Sequence, residues 1–210
     1  MFILGINGSP RAGGNTDILL DEALRGAASC GARTEKIVLN ALRYGPCQEC
    51  AKINDDGSCV VQDDMQVVYA GIREADALIL ASPIFFGSLS AQTKMMIDRF
   101  QCAWIARRRL KREIFSTRKT CAFISVQASS RRDFFDNASS IVKNWCVTIN
   151  AHYGEELFCP GVDGKGTVRA HPDCVREAHE LGRRLASAKL SFHCLPQSAR
   201  RSTEHTEEKI

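Results

Sequence analysis

No apolar run in this 210-residue sequence reaches the roughly 18 to 20 residues that a membrane-spanning helix needs, so no membrane partner is expected. The first residues, MFILGINGSPR, have no basic region ahead of their apolar stretch and are too short for a secretory leader. They read as a buried first strand, and a cytoplasmic protein is expected. Charge of one sign is also scarce. The net charge is only +4, from 28 Lys and Arg against 24 Asp and Glu, short of the clustered basic surface that nucleic-acid binding requires. No internal repeat is visible. A further absence is local. The glycine-rich stretch GINGSPRAGGNTD (5–17) looks suited to phosphate yet contains no lysine.

What is present alternates regularly. Strand-like apolar runs FILGI (2–6), TEKIVLN (34–40), DALILAS (76–82), KTCAFISV (119–126) and one within NAHYGEELFCP (150–160) are each followed by a helical pattern. The helices are expected from Asn15 to about Gly31, over 60–75, over 90–106, over 133–148 and over 173–190. Five such alternations predict an α/β fold, a doubly wound five-stranded parallel sheet of order 2-1-3-4-5 with helices on both faces. Residues 1–190 are expected to form one domain, and the polar, aperiodic stretch 191–210 to be a disordered tail. Ten cysteines is a high count. Most lie in apolar segments and read as small buried hydrophobes rather than as a disulfide framework.

The opening loop follows the first strand and precedes the first helix, where a doubly wound fold holds phosphate. A nucleoside-triphosphate loop would end in Gly-Lys-Ser/Thr, and a dinucleotide loop would read G-x-G-x-x-G. Gly8 and Gly13 have the first spacing of the triphosphate loop, but Gly14 and Asn15 follow with no Lys, and Gly5, Gly8 and Gly13 do not fit the dinucleotide pattern. The remaining reading is a phosphate that is held and never transferred, as in a flavin mononucleotide. Ser9, Asn15 and Thr16 would supply polar side chains, Arg11 would balance charge, and the helix N-terminus would add partial positive charge.

GSPRAGGNT (8–16) together with SPIFFGSLSAQTKMMIDR (82–99) resembles the flavodoxin-like, NAD(P)H-dependent FMN reductase superfamily, and more narrowly its iron–sulfur flavoprotein branch. The resemblance implies FMN as cofactor, NAD(P)H as electron donor and a quinone, flavin or electron-poor aromatic as acceptor. It implies that Ser9, Arg11, Asn15 and Thr16 bind the FMN phosphate and that Pro83, Ile84, Phe85, Phe86 and Gly87 line the ring and ribityl chain. Gln127 and Ala128, with Ser129, fall where the family closes over the flavin. It further implies a homodimer or homotetramer, toward which the aromatics Phe85, Phe86 and Trp104 point. No protein acid or base is assigned, because hydride transfer to a flavin does not need one. His152 reads as a surface or core histidine, and Lys94 with Asp98 as an i,i+4 surface pair. A rival reading is an electron carrier that binds FMN without reacting with a pyridine nucleotide.

Cys47, Cys50 and Cys59 are spaced Cys-x2-Cys-x8-Cys. The branch pattern resembles Cys-x2-Cys-x2-Cys-x5-Cys, which supplies four thiolates to an iron–sulfur cluster. Ile53 stands at the third position, and an apolar side chain cannot ligate iron. A cluster with an outside ligand, a zinc site, a Cys47–Cys50 dithiol and a loop of free thiols all stay open. The basic run 106–119 likewise reads either as a solvated face or as an anion site.

Overall fold

The computed structural model describes residues 1–50 and 52–192, with side chains through Ser187. Apart from the backbone of its first two residues, the predicted tail 191–210 lies outside the described residues. The elements run β1 (Phe2–Asn7), α1 (Asn15–Ser29), β2 (Arg33–Val38), α2 (Met65–Glu74), β3 (Ala77–Phe85) and β4 (Ser88–Leu89). They continue with α3 (Ala91–Asp98), α4 (Gln101–Ile105), β5 (Lys119–Val126), α5 (Arg132–Thr148), β6 (Ala151–Cys159) and α6 (Pro172–Phe192).

The sheet order is β2-β1-β3-β5-β6, and every pair along that path is parallel. The two-residue β4 folds back on the end of β3 as an antiparallel sixth strand. With β4 set aside, the order is the predicted one. The central strands are buried on both faces, and their side chains alternate between two apolar layers. Leu4, Ile6, Leu78, Leu80 and Phe123 face the layer that includes residues of α2, α3, α4 and α5. Ile3, Ala77, Ile79, Ala81, Ala122 and Ile124 face α1 and α6. The second layer uses small residues, so its helices sit close together. A Cβ at Gly26 would lie 1.9 Å from the His179 carbonyl oxygen, and one at Gly182 1.8 Å from that of Ala23. The first layer is aromatic: Phe100 packs against Tyr69, Phe115 and Trp145 with ring centroids 5.2 to 5.6 Å apart.

Two predicted helices are shortened where side chains take other partners, and one predicted strand ends early. The helix expected over 60–75 starts at Met65. Asp64 instead accepts the Arg43 N–H at 2.7 Å, and Asp63 accepts Arg99. The helix expected over 90–106 breaks after Asp98, where Arg99 turns inward to that same Asp63. β2 ends at Val38, and residues Leu39–Ala41 form a 3-10 turn. The cysteine reading is corrected at one pair: Cys159 and Cys174 form a disulfide rather than packing as separate small hydrophobes. Among the described residues, no helix is long and apolar enough to cross a membrane.

Candidate functional site

The carboxyl ends of β1, β3 and β5 are brought level by the parallel register, in which Asn7 pairs Ala81 and Pro83 pairs Val126. The opening loop leaves β1 there, and buried hydrogen bonds fix its shape. Asn7 donates from Nδ2 to Asp17 at 2.8 Å and accepts the Ser9 N–H at 2.9 Å. Asp17 also accepts the Gly13 N–H at 2.8 Å, and Lys36 reaches it at the same distance. Burial works against the Lys36 charge, but hydrogen bonds to Asp17 and Asp21 outweigh it and hold the ammonium above its ordinary pKa. Asp17 is thus a neutralised strut rather than a free negative charge under the loop. Gly14 is the N-cap of α1 and offers no side-chain cap, so the first-turn N–H groups lack the usual protein acceptor.

The loop also rests on the start of α3. Ser90 donates from Oγ to the Gly8 carbonyl at 2.6 Å, and its N–H donates to Ser82 Oγ at 3.1 Å. A Cβ at Gly8 would stand 1.8 Å from Thr93 Oγ1, so glycine is required there by close approach.

The second wall is the β3–β4 hairpin. Its two turn residues, Phe86 and Gly87, both have positive φ, +50° and +77°. That combination defines the mirror-image type I turn that suits strand twist and normally takes Asn-Gly. Phe86 therefore occupies a strained conformation while exposing its whole side chain, at 108% relative accessibility. Gly87 faces Phe134 rather than the cleft.

The third wall combines two loops. Gln127 donates from Nε2 to the carbonyls of Ser129 and Arg131 at 2.6 and 2.7 Å. These two bonds set the amide orientation. They leave Gln127 Oε1 buried without a protein partner. The Gln127 N–H donates to the Cys159 carbonyl, and the Gln127 carbonyl accepts the Val162 N–H. The loop after β6 is tied in turn to the opening loop. Asn15 donates from Nδ2 to the Gly164 carbonyl at 2.8 Å and accepts the Val168 N–H at 3.2 Å. The Asn15 side chain is therefore committed to protein, leaving its backbone N–H at the head of α1. The clamp also brings Lys165 alongside Gly13, where a Cβ would touch Lys165 Cε at 3.9 Å.

These walls enclose a cleft of about 270 Å³. Of the sequence-predicted residues, Ser9, Arg11, Asn15 and Thr16 line one end, and Pro83, Ile84, Phe85, Phe86, Gln127 and Ala128 line the rest. Gly87 is not among the lining residues. Sequence reading missed Val126, Val162, Asp163 and Lys165, which also line it. The available signal was GVDGKG (161–166), a glycine-bracketed lysine in a strand-end loop. A second hollow of about 550 Å³ lies between α1 and the start of α6, lined by Ile18, Arg25, Arg169 and Val175 among others. It is larger but away from the strand ends, so the smaller cleft is the better candidate in a doubly wound fold.

The family model described as NADPH-dependent FMN reductase matches residues 1–146. The chain belongs to the NADPH-dependent FMN reductase family. An iron-sulfur flavoprotein of Methanosarcina thermophila is 32% identical over 168 residues, covering 76% of this chain and 84% of that protein. Another, from Methanocaldococcus jannaschii, is 43% identical over 99 residues, covering 47% of this chain and about half, 51%, of the relative's own length. These relatives place the chain in the iron-sulfur flavoprotein branch of the FMN reductase family. A solved structure of a flavone reductase shares the fold with a TM-score of 0.70 at 23% identity, covering 94% of this chain and 66% of that one.

The cysteine loop of this family member departs from the branch pattern in space as well as in sequence. Ile53 packs against the apolar core and bridges Cys59 across a tight turn closed by Asn54, Gly57 and Ser58. Cys59 is buried, and Arg99 donates to its Sγ at 3.7 Å. Cys50 is exposed and Cys47 half-buried. Among the described residues, no group of three or more His, Cys, Asp or Glu side chains is placed to hold a metal ion. The residues present do not fit a four-cysteine cluster. The loop is instead anchored by the ion pair of Arg99 with Asp63, at 2.5 and 3.1 Å, and by Arg99 donating to the Gly45 carbonyl. Burial raises the Asp63 pKa, but the hydrogen bond and charge of Arg99 together with the Met65 and Gly45 N–H groups more than offset it and hold the carboxyl below its ordinary value. Lys94 and Asp98 form an exposed i,i+4 pair, and His152 is exposed. In the basic run, Arg107 pairs with Glu113 and Arg112 donates to the Asp55 carbonyl.

Proposed function

We propose that the chain is an FMN-dependent oxidoreductase that takes electrons from NAD(P)H and delivers them to a quinone, a free flavin or an electron-poor aromatic. FMN would lie in the cleft at the strand carboxyl ends. The observation that carries this reading is the polarity of that cleft. Hydroxyls, two cations and uncapped helix N–H groups gather at one end, apolar side chains line much of the rest, and Asp163 adds one carboxylate to the lining.

The donor set suits a static phosphate. Ser9 and Thr16 offer hydroxyls, the first turn of α1 offers N–H groups, and Arg11 and Lys165 balance charge. Pro83, Ile84 and Phe85 supply an apolar flank that keeps water from one side of a bound ring. When bound, FMN supplies the redox chemistry, accepting a hydride and passing electrons on, and the protein supplies position and electrostatics. No side chain is assigned as acid or base. The exposed Phe85, Phe86 and Trp104 support a homodimer or homotetramer, an idea that a monomer in light scattering at working concentration would sink.

The test compares FMN with riboflavin, which lacks the phosphate, by fluorescence titration of apoprotein. Wild type should prefer FMN. Lys165→Ala should weaken FMN roughly tenfold at low salt and less at high salt, leaving riboflavin unchanged. Ser9→Ala with Thr16→Ala should act in the same sense. Equal affinity for both ligands in wild type would remove the phosphate assignment. Anaerobic bleaching of the bound flavin by NADH or NADPH separates a reductase from a carrier.

A further inference from the structure

The Cys159–Cys174 disulfide closes the segment that forms the outer wall of the cleft. Cys159 ends β6 and Cys174 lies in the first turn of α6, at a sequence separation of 15 and with Cα atoms 6.1 Å apart. The enclosed segment carries Val162, Asp163 and Lys165 into the cleft. It is held at three further points: Gly164 and Val168 to the Asn15 side chain, and Val162 to Gln127. The Cys159 carbonyl itself accepts the Gln127 N–H. The bridge therefore ties down a strap whose residues line the candidate cleft.

We propose that Cys159 and Cys174 are a reversible redox modification site, and that the bridged form holds FMN more tightly than the dithiol form. This rests on FMN occupying the cleft. The co-reactant is a small-molecule disulfide. The Cys174 thiolate attacks one of its sulfurs, forming a mixed disulfide and expelling one small thiolate. The Cys159 thiolate then attacks the Cys174 sulfur, forming the intramolecular bond and expelling the second. Two protein thiols are oxidised, one disulfide is reduced to two thiols, and an added dithiol reverses the sequence. Attack starts at Cys174 because Cys159 is fully buried while Cys174 is part-exposed, and because helix N-termini favour the thiolate. Opening the bridge loosens the strap, leaving it held by its hydrogen bonds to Asn15 and Gln127, without releasing α6, which stays locked to α1 through the close backbone approaches at Gly26 and Gly182. The loss is local: Val162, Asp163 and Lys165 gain freedom that FMN binding must then remove.

The experiment titrates FMN into apoprotein treated with a small disulfide or with a dithiol, for wild type and Cys174→Ser. Peptide mass mapping reports the 159–174 linkage, and hydrogen exchange reports amides 161–168. The expected result is a linkage in the oxidised wild type only and a Kd roughly tenfold higher after reduction. Cys174→Ser should match reduced wild type under both treatments. Exchange over 161–168 should quicken on reduction, whether or not FMN is present. The proposal is overturned if the linkage does not form, if Kd is unchanged by reduction, or if a redox-dependent Kd persists in Cys174→Ser. Failure of FMN to bind in any state would overturn the functional reading. The exchange comparison would then still report on the strap, with unchanged exchange refuting it.

Discussion

In an isolated subunit, Phe86→Asn should raise stability while weakening FMN binding. Phe86 has φ +50° and is followed by Gly87 at +77°. A non-glycine residue held in that left-handed region costs about 1 to 2 kcal/mol, and asparagine bears it best. The substitution creates the Asn-Gly pair that this turn prefers. Nothing offsets that gain in the chain itself, because the Phe86 side chain is fully exposed at 108%. A net gain of about 1 kcal/mol corresponds to a rise in Tm of roughly 2 to 4 °C for a chain of this size. If Phe86 were instead covered by a second subunit, burying about 100 Å² of ring would be worth about 2.5 kcal/mol. The sign would then reverse.

Thermal unfolding of the apoprotein at low micromolar concentration, followed by circular dichroism, separates the two cases. A higher Tm for Phe86→Asn, with weaker FMN binding, supports strain retained for a ligand. A lower Tm would refute the view that Phe86 is idle in the apoprotein, and a concentration-dependent loss would locate its partner in another copy of the chain.

Gly8→Ala should be among the most damaging single-methyl additions, costing about 3 kcal/mol, because the new Cβ would stand 1.8 Å from Thr93 Oγ1. Thr93→Ala should recover part of that loss in a urea double-mutant cycle, and strict additivity would show that the clash is elsewhere. Asp63→Asn should cost about 3 kcal/mol, since it strands the Arg99 guanidinium, whose side chain is only 2% exposed. The same pair sets a pH dependence. The folded Asp63 pKa is depressed, so its contribution is present above the ordinary carboxylate range, near pH 4, and is lost as pH falls through the lowered folded value. Urea midpoints measured from pH 6 to pH 3 should therefore fall more steeply in wild type than in Asp63→Asn, and parallel curves would count against the linkage.

Strand and helix alternation was legible because each strand buried on both faces must be continuously apolar, as ALILA in β3 is. The opening loop and SPIFFG could be placed at strand ends because each follows an apolar run and precedes a helical pattern, and both line the cleft there. Boundaries were missed where a side chain's partner is distant in sequence. Arg99 ends α3 because Asp63 lies beside it, 36 residues earlier, and no local pattern records that. The cysteines show the same division. Ile53 was visible as a missing ligand, but the disulfide joins two residues whose apolar and helical settings look like ordinary core. The sequence alone determined the layered fold, the position of the glycine-rich opening loop and its lack of a lysine, because these are properties of contiguous residues. Only the tertiary structure decided that Lys165 comes alongside that loop and that Asn15 holds the strap carrying it, because those contacts span about 150 residues and exist only once the sheet has closed.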